Sequence, residues 1–85
     1  MSTIDNILRQ MRSNTKGIRF AELSRVCEHF FGPARQSRTS HRVFRTPWAG
    51  DPRVNIQADK GMAKPYQVRQ VLKAIKRMED ETDHT

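Results

Sequence analysis

The chain predicts an α+β domain, a three-stranded antiparallel sheet with helices packed on one face and an extra helix at the N-terminus. Two patterns and one limit lead there. Apolar residues recur at helical spacing in three stretches, one near the start, one over residues 20–31 and one after Pro65. Across residues 34–58 that period gives way to short alternating runs of Thr, Ser, Val, Phe and Arg, the spacing of half-buried strands. The limit is size. A chain of 85 residues with 35% hydrophobic content forms one domain with a thin core, enough for a layer of helices on a small sheet.

In the first helix Ile4, Ile7, Leu8 and Met11 share a face, with Ser2 or Thr3 as the cap and Gly17 as the stop. In the second, Phe20, Leu23, Val26, Cys27 and Phe30 form the apolar stripe, while Glu22, Arg25 and His29 fall away from it. Gly32-Pro33 ends that helix, because proline cannot continue it. Strands are expected near residues 34–38, 41–46 and 53–58, the last two joined as a hairpin through Pro47-Trp48-Ala49-Gly50-Asp51-Pro52. Val54, Ile56 and Ala58 share one face of the third strand, with Arg53, Asn55 and Gln57 on the other. The second strand is ambiguous. His41, Val43 and Arg45 make one face, Arg42, Phe44 and Thr46 the other, and each set mixes apolar with basic. Residues 59–64 read as a loop, and Pro65 suits the first position of a last helix lined by Val68, Val71, Leu72, Ile75 and Met78. The expected division is a helical extension over residues 1–17, a domain over 18–78 and an acidic flexible tail over 79–85.

Charge narrows the function. Sixteen Lys and Arg against nine Asp and Glu give a net +7. Four of the nine acids lie in residues 79–85, so residues 1–78 carry sixteen bases against five acids, a net +11. A basic body of this kind fits a polyanion or an acidic protein partner. The single cysteine, Cys27, allows no internal disulfide and reads as a core residue, and no Cys and His residues have zinc spacing. The start lacks a charged segment followed by an apolar run, and no stretch is long and apolar enough to span a bilayer, so a cytoplasmic protein is expected. No metal and no cofactor is called for.

His41 is the candidate catalytic group. It opens the second strand within Ser37-Arg38-Thr39-Ser40-His41-Arg42, among Arg35, Arg38, Arg42 and Arg45. Guanidinium groups grip phosphate through paired hydrogen bonds. Cleaving RNA without a metal needs a group to take the 2′-hydroxyl proton, one to protonate the departing 5′-oxygen, and positive charge for the phosphorane. Imidazole can do either proton transfer near neutrality. The same residues also fit a titrating strand-end histidine beside a solvated basic face. His29 fits a plain surface histidine and His84 lies in the charged tail. Trp48 can stack on a base or pack against the hairpin or a partner.

Thr39-Ser40-His41-Arg42-Val43-Phe44-Arg45 follows a short helix ending in glycine. A hairpin leads to Arg53-Val54-Asn55-Ile56-Gln57, then Lys60-Gly61, Lys64-Pro65 and the helix that begins Tyr66-Gln67-Val68-Arg69. Over residues 18–78 this pattern resembles the HicA mRNA interferase toxins of bacterial toxin–antitoxin systems. Ser40, His41 and Phe44 match the family's Gly-Ser-His pattern with its aromatic residue, and Thr39 stands where the family has glycine. The resemblance implies a fold like the double-stranded-RNA-binding domain and an endoribonuclease that cleaves mRNA, with His41 catalytic. Arg35, Arg38, Ser40, Arg42, Arg45, Lys60 and Lys64 are the expected RNA contacts. The implied partners are mRNA and a HicB-type antitoxin that covers the site, with neither a membrane nor DNA as a direct partner. Trp48 and, after it, Ile4, Ile7 and Leu8 are the expected apolar contacts for that antitoxin. The alternatives are a non-catalytic RNA-binding module of the same fold, which would not need His41, and an adaptor whose basic face meets an acidic protein.

Overall fold

A computed structural model describes residues 3–38, 41–48, 50 and 53–82; at residues 36–38 and 82 it describes the backbone alone. Three α-helices and an antiparallel sheet make an α+β fold. The helices are α1 (Thr3–Ser13), α2 (Phe20–Phe31) and α3 (Pro65–Thr82). The three principal strands are β1 (Gln36–Arg38), β2 (His41–Arg45) and β3 (Arg53–Asp59), and a two-residue β4 (Met62–Ala63) extends the sheet in the order β1-β2-β3-β4. Each strand pairs with its sequence neighbour, so the sheet is a meander.

The helical stripes point where their spacing predicts. Leu23, Val26 and Cys27 of α2 and Val68, Val71 and Ile75 of α3 are buried against Phe44 of β2 and Ile56 of β3. Burying each such side chain contributes about 1.5–3 kcal/mol. Ser24 is buried on the same face of α2 with its hydroxyl unpaired. Gly32 takes φ +86° and its N–H reaches the Glu28 carbonyl at 3.0 Å, closing α2 in a conformation that side chains rarely adopt. At the other end Glu22 accepts the Arg19 N–H at 3.1 Å, which satisfies one orphan donor of the helix start.

Strand parity, ambiguous in β2 from sequence, is resolved by the pairing. Arg42 lies opposite Ile56 and Phe44 opposite Val54, so these four face the helices. His41, Val43 and Arg45 lie opposite Gln57, Asn55 and Arg53 on the outer face.

The extra N-terminal helix extends the core, since Ile7, Leu8 and Met11 belong to it and α1 packs on both α2 and α3. Three expectations are corrected. Residues 59–64 are not a loop. Asp59 pairs with Met62 around a two-residue turn in which Lys60 and Gly61 both have positive φ, +54° and +81°, the pattern of a type I′ hairpin. The first strand begins at Gln36 rather than near residue 34, although the Arg35 N–H already reaches the Val43 carbonyl at 2.8 Å. Finally, Glu79, Asp80 and Glu81 continue α3 instead of forming a tail. Acids at a helix C-terminus oppose its dipole. Here Glu79 meets Arg12 at 3.6 Å and Glu81 meets Arg77 at 3.2 Å. Glu81 also accepts the indole N–H of Trp48 at 2.8 Å. Residues 83–85, including His84, lie outside the described residues.

Candidate functional site

His41 is the first residue of β2 and is half-buried on the outer face of the sheet. Across the strands it pairs with Arg38 on one side and Gln57 on the other. Gln57 is the hub of this end of the sheet. β4 is too short to reach it, the pairing with β3 beginning at Ala58 and Ala63. The Gln57 backbone N–H instead donates to Oε1 of Gln67 at 2.7 Å. Gln67 lies in the first turn of α3 and is 5% exposed, so its carboxamide completes a ladder that would otherwise end on an unpaired donor. The Gln57 side chain accepts a hydrogen bond from Lys64 Nζ at 3.0 Å. An ammonium group is thereby held beside the residue that faces His41. Nε2 of Gln67 donates to the Tyr66 hydroxyl at 3.4 Å, and the Tyr66 side chain is exposed.

The arginines separate into groups. Arg45 is exposed on the same face as His41, opposite Arg53. At about 3.3 Å per residue it lies about 13 Å along the strand from His41, a span of several phosphates of a nucleic-acid strand. Arg35, also exposed, lines a shallow cleft with Arg45, Phe31, Pro33 and Ala34. Arg45 and Arg53 thus place two cations directly opposite each other on this face. Arg42, expected among the phosphate contacts, faces the helices instead. Its guanidinium sits 5.4 Å from the Phe20 ring centroid, with Nε buried and unpaired. The period of two in a strand sets it apart from His41 and Arg45. Lys60 is exposed at the tip of the β3–β4 turn. Arg38 is placed by its backbone only, opposite His41. Ser40 and Thr39 lie outside the described residues.

Gln57, Tyr66, Gln67 and Arg53 were not among the residues expected from sequence. The signal that could have found the first three is Lys60-Gly61 read as a two-residue turn, because such a turn folds Lys64 and Gln67 back onto Gln57; Arg53 is placed by its pairing with Arg45.

Trp48 packs on α3, with the Arg77 guanidinium 4.1 Å from its ring centroid. His29 is exposed on α2 and meets the Phe30 ring edge-on at 5.0 Å. Burial, helped by the neighbouring Glu28 carboxylate, pushes the Cys27 thiol up to about 12, which leaves it protonated and inert near neutrality. Among the described residues no group of three or more His, Cys, Asp and Glu side chains could hold a metal ion. No helix among them is long and apolar enough to cross a membrane.

The chain matches no protein-family model, no curated protein and no solved structure. The resemblance to HicA toxins rests on the motif residues themselves.

Proposed function

We propose that the protein is a toxin of the HicA kind, a metal-independent endoribonuclease that cleaves mRNA in the cytoplasm with His41 as general acid or base. The observation that carries this reading is the place of His41. It sits on the outer sheet face, opposite a glutamine that holds the Lys64 ammonium at 3.0 Å, with Arg45 and Arg53 farther along the same face. A proton-transfer group beside cationic charge is what metal-free RNA cleavage needs. The order helix, three strands, helix, with α2 and α3 packed on the sheet, supports the finer reading of the fold as like the double-stranded-RNA-binding domain, to which α1 and β4 are additions.

In the reaction the imidazole moves a proton to or from the ribose and leaving-group oxygens. Lys64 steadies the negative charge that grows on the phosphorane. Arg45, Arg53 and Arg35 hold flanking phosphates and fix the register of the strand. A HicB-type antitoxin of acidic character would be drawn to the same face. Of the apolar contacts expected for such a partner, Ile7 and Leu8 are buried in the core, Ile4 packs against it, and Trp48 is half-buried on α3. Electrostatic attraction to the outer sheet face is therefore the main term for that partner.

The test is expression in a bacterial host of the wild type and of a His41→Ala variant. Growth arrest and mRNA decay with the first and neither with the second is the expected result. Equal behaviour of the two, at equal protein level, would leave a binding module or adaptor.

A further inference from the structure

We propose that Tyr66 is the second proton-transfer group of this site, the acid that protonates the departing 5′-oxygen while His41 takes the 2′-hydroxyl proton. The inference rests on the ribonuclease reading above.

Metal-free cleavage of RNA by transesterification needs two proton transfers, and His41 is one group. A candidate for the second is the Tyr66 phenol, which is tied by hydrogen bonds to the strand residue that pairs with His41. Gln67 is buried and bonded at both ends of its carboxamide. Oε1 accepts the Gln57 N–H at 2.7 Å and Nε2 donates to the Tyr66 oxygen at 3.4 Å. The first bond ties the carboxamide to the strand residue that pairs with His41. The second then brings the phenol within two hydrogen bonds of that residue. Because the amide donates into the Tyr66 oxygen, the phenol proton is left to point elsewhere, and the side chain is 48% exposed, so that proton is available to a ligand on the surface. Lys64, two residues before Tyr66, holds its ammonium on the side chain of Gln57, the residue opposite His41. Lys64 and the first turn of α3 thus bring a cation, a hydroxyl and a carboxamide to the end of the sheet where His41 stands.

The step balances. His41 accepts the 2′-hydroxyl proton and the 2′-oxygen bonds to phosphorus. The bond from phosphorus to the 5′-oxygen breaks, and that oxygen takes the Tyr66 proton. The products are a 2′,3′-cyclic phosphate and a 5′-hydroxyl. The imidazolium proton returns to the phenolate through water, so no proton is gained or lost.

The experiment compares purified wild type, Tyr66→Phe, Tyr66→Ala and His41→Ala on two RNA substrates, one ordinary and one with sulfur in place of the bridging 5′-oxygen. A thiolate leaves without needing a proton. Tyr66→Phe is expected to slow cleavage of ordinary RNA by at least ~100-fold with unchanged RNA affinity, and to cleave the sulfur substrate at close to the wild-type rate. His41→Ala stays slow on both, since its proton transfer is still required. If Tyr66→Phe matches the wild type on ordinary RNA while Tyr66→Ala does not, the ring acts by stacking and the acid assignment is overturned with the ribonuclease reading intact. If Tyr66→Phe is equally slow on both substrates, its hydroxyl is not the leaving-group acid. If the wild type cleaves neither substrate, both readings fall together.

Discussion

The buried carboxamide of Gln67 accepts the backbone N–H of Gln57, ten residues earlier in the chain, at 2.7 Å. A helix side chain thus stands in for a strand neighbour at the point where β4 runs out. It fixes the first turn of α3 to the end of the sheet where His41 lies.

Removing that acceptor leaves a shielded donor unpaired, which costs about 1–3 kcal/mol. Gln67→Leu is expected to lower the urea midpoint by the equivalent amount, while Gln67→Glu, which keeps an acceptor oxygen, retains most of the stability. Equal midpoints for Gln67→Leu and the wild type would show that the bond contributes nothing.

Met11 has no exposed surface and lies in the same core as Leu23 and Ile75. Truncating a buried methionine costs about 2–5 kcal/mol. Met11→Ala is expected to destabilise the whole domain in a single cooperative transition followed by circular dichroism. A separate early transition, with the rest intact, would show that the N-terminal helix stands outside the core.

Cys27 holds its proton more tightly folded than unfolded, because burial and then Glu28 raise its thiol from 9.0 to about 12. A raised value stabilises the fold below the unfolded value, and that contribution is lost as pH climbs from about 9 towards about 12. Stability is expected to fall across that window, and less steeply in Cys27→Ala when each is compared with its own value at pH 8. A thiol reagent at pH 8 is expected to label Cys27 only after urea unfolds the chain; rapid labelling of the folded protein would contradict its burial.

Arg45 and Arg42 are three residues apart yet on opposite faces of β2. Arg45→Gln is expected to flatten the dependence of log RNA affinity on log salt by about 0.7, the value for one phosphate contact on a single strand. Arg42→Gln is expected to leave that slope unchanged. A loss from Arg42→Gln equal to that from Arg45→Gln would place RNA on the wrong face.

Much of the fold was legible because helices and strands write their periods into the chain. Val68, Val71 and Ile75 mark the buried side of α3, and Val54 and Ile56 mark that of β3. Three features were not. The face of β2 is decided by its pairing with β3, and a strand with Val43 on one side and Phe44 on the other carries no local preference. The β3–β4 turn puts Lys60, a residue type that seldom adopts positive φ, where Asn or Gly is the usual signal. The acidic end of α3 is held by Arg12, Arg77 and Trp48, and two of these lie far away in sequence. Of the site, the chain alone puts His41 and Arg45 on one face of a strand, and the pairing with β3 decides which face that is. Gln57, Tyr66 and Gln67 could not be placed from it, because their proximity depends on the unrecognised turn.

The central claim is that His41 performs chemistry on RNA without a metal. The most direct measurement is the rate of RNA cleavage by purified wild type and His41→Ala in EDTA, with circular dichroism to confirm that both are folded. The account predicts cleavage by the wild type at a rate insensitive to the chelator, with loss of at least ~100-fold in the variant. Undiminished cleavage by folded His41→Ala, or wild-type activity that vanishes in EDTA and returns with magnesium or manganese, would contradict it.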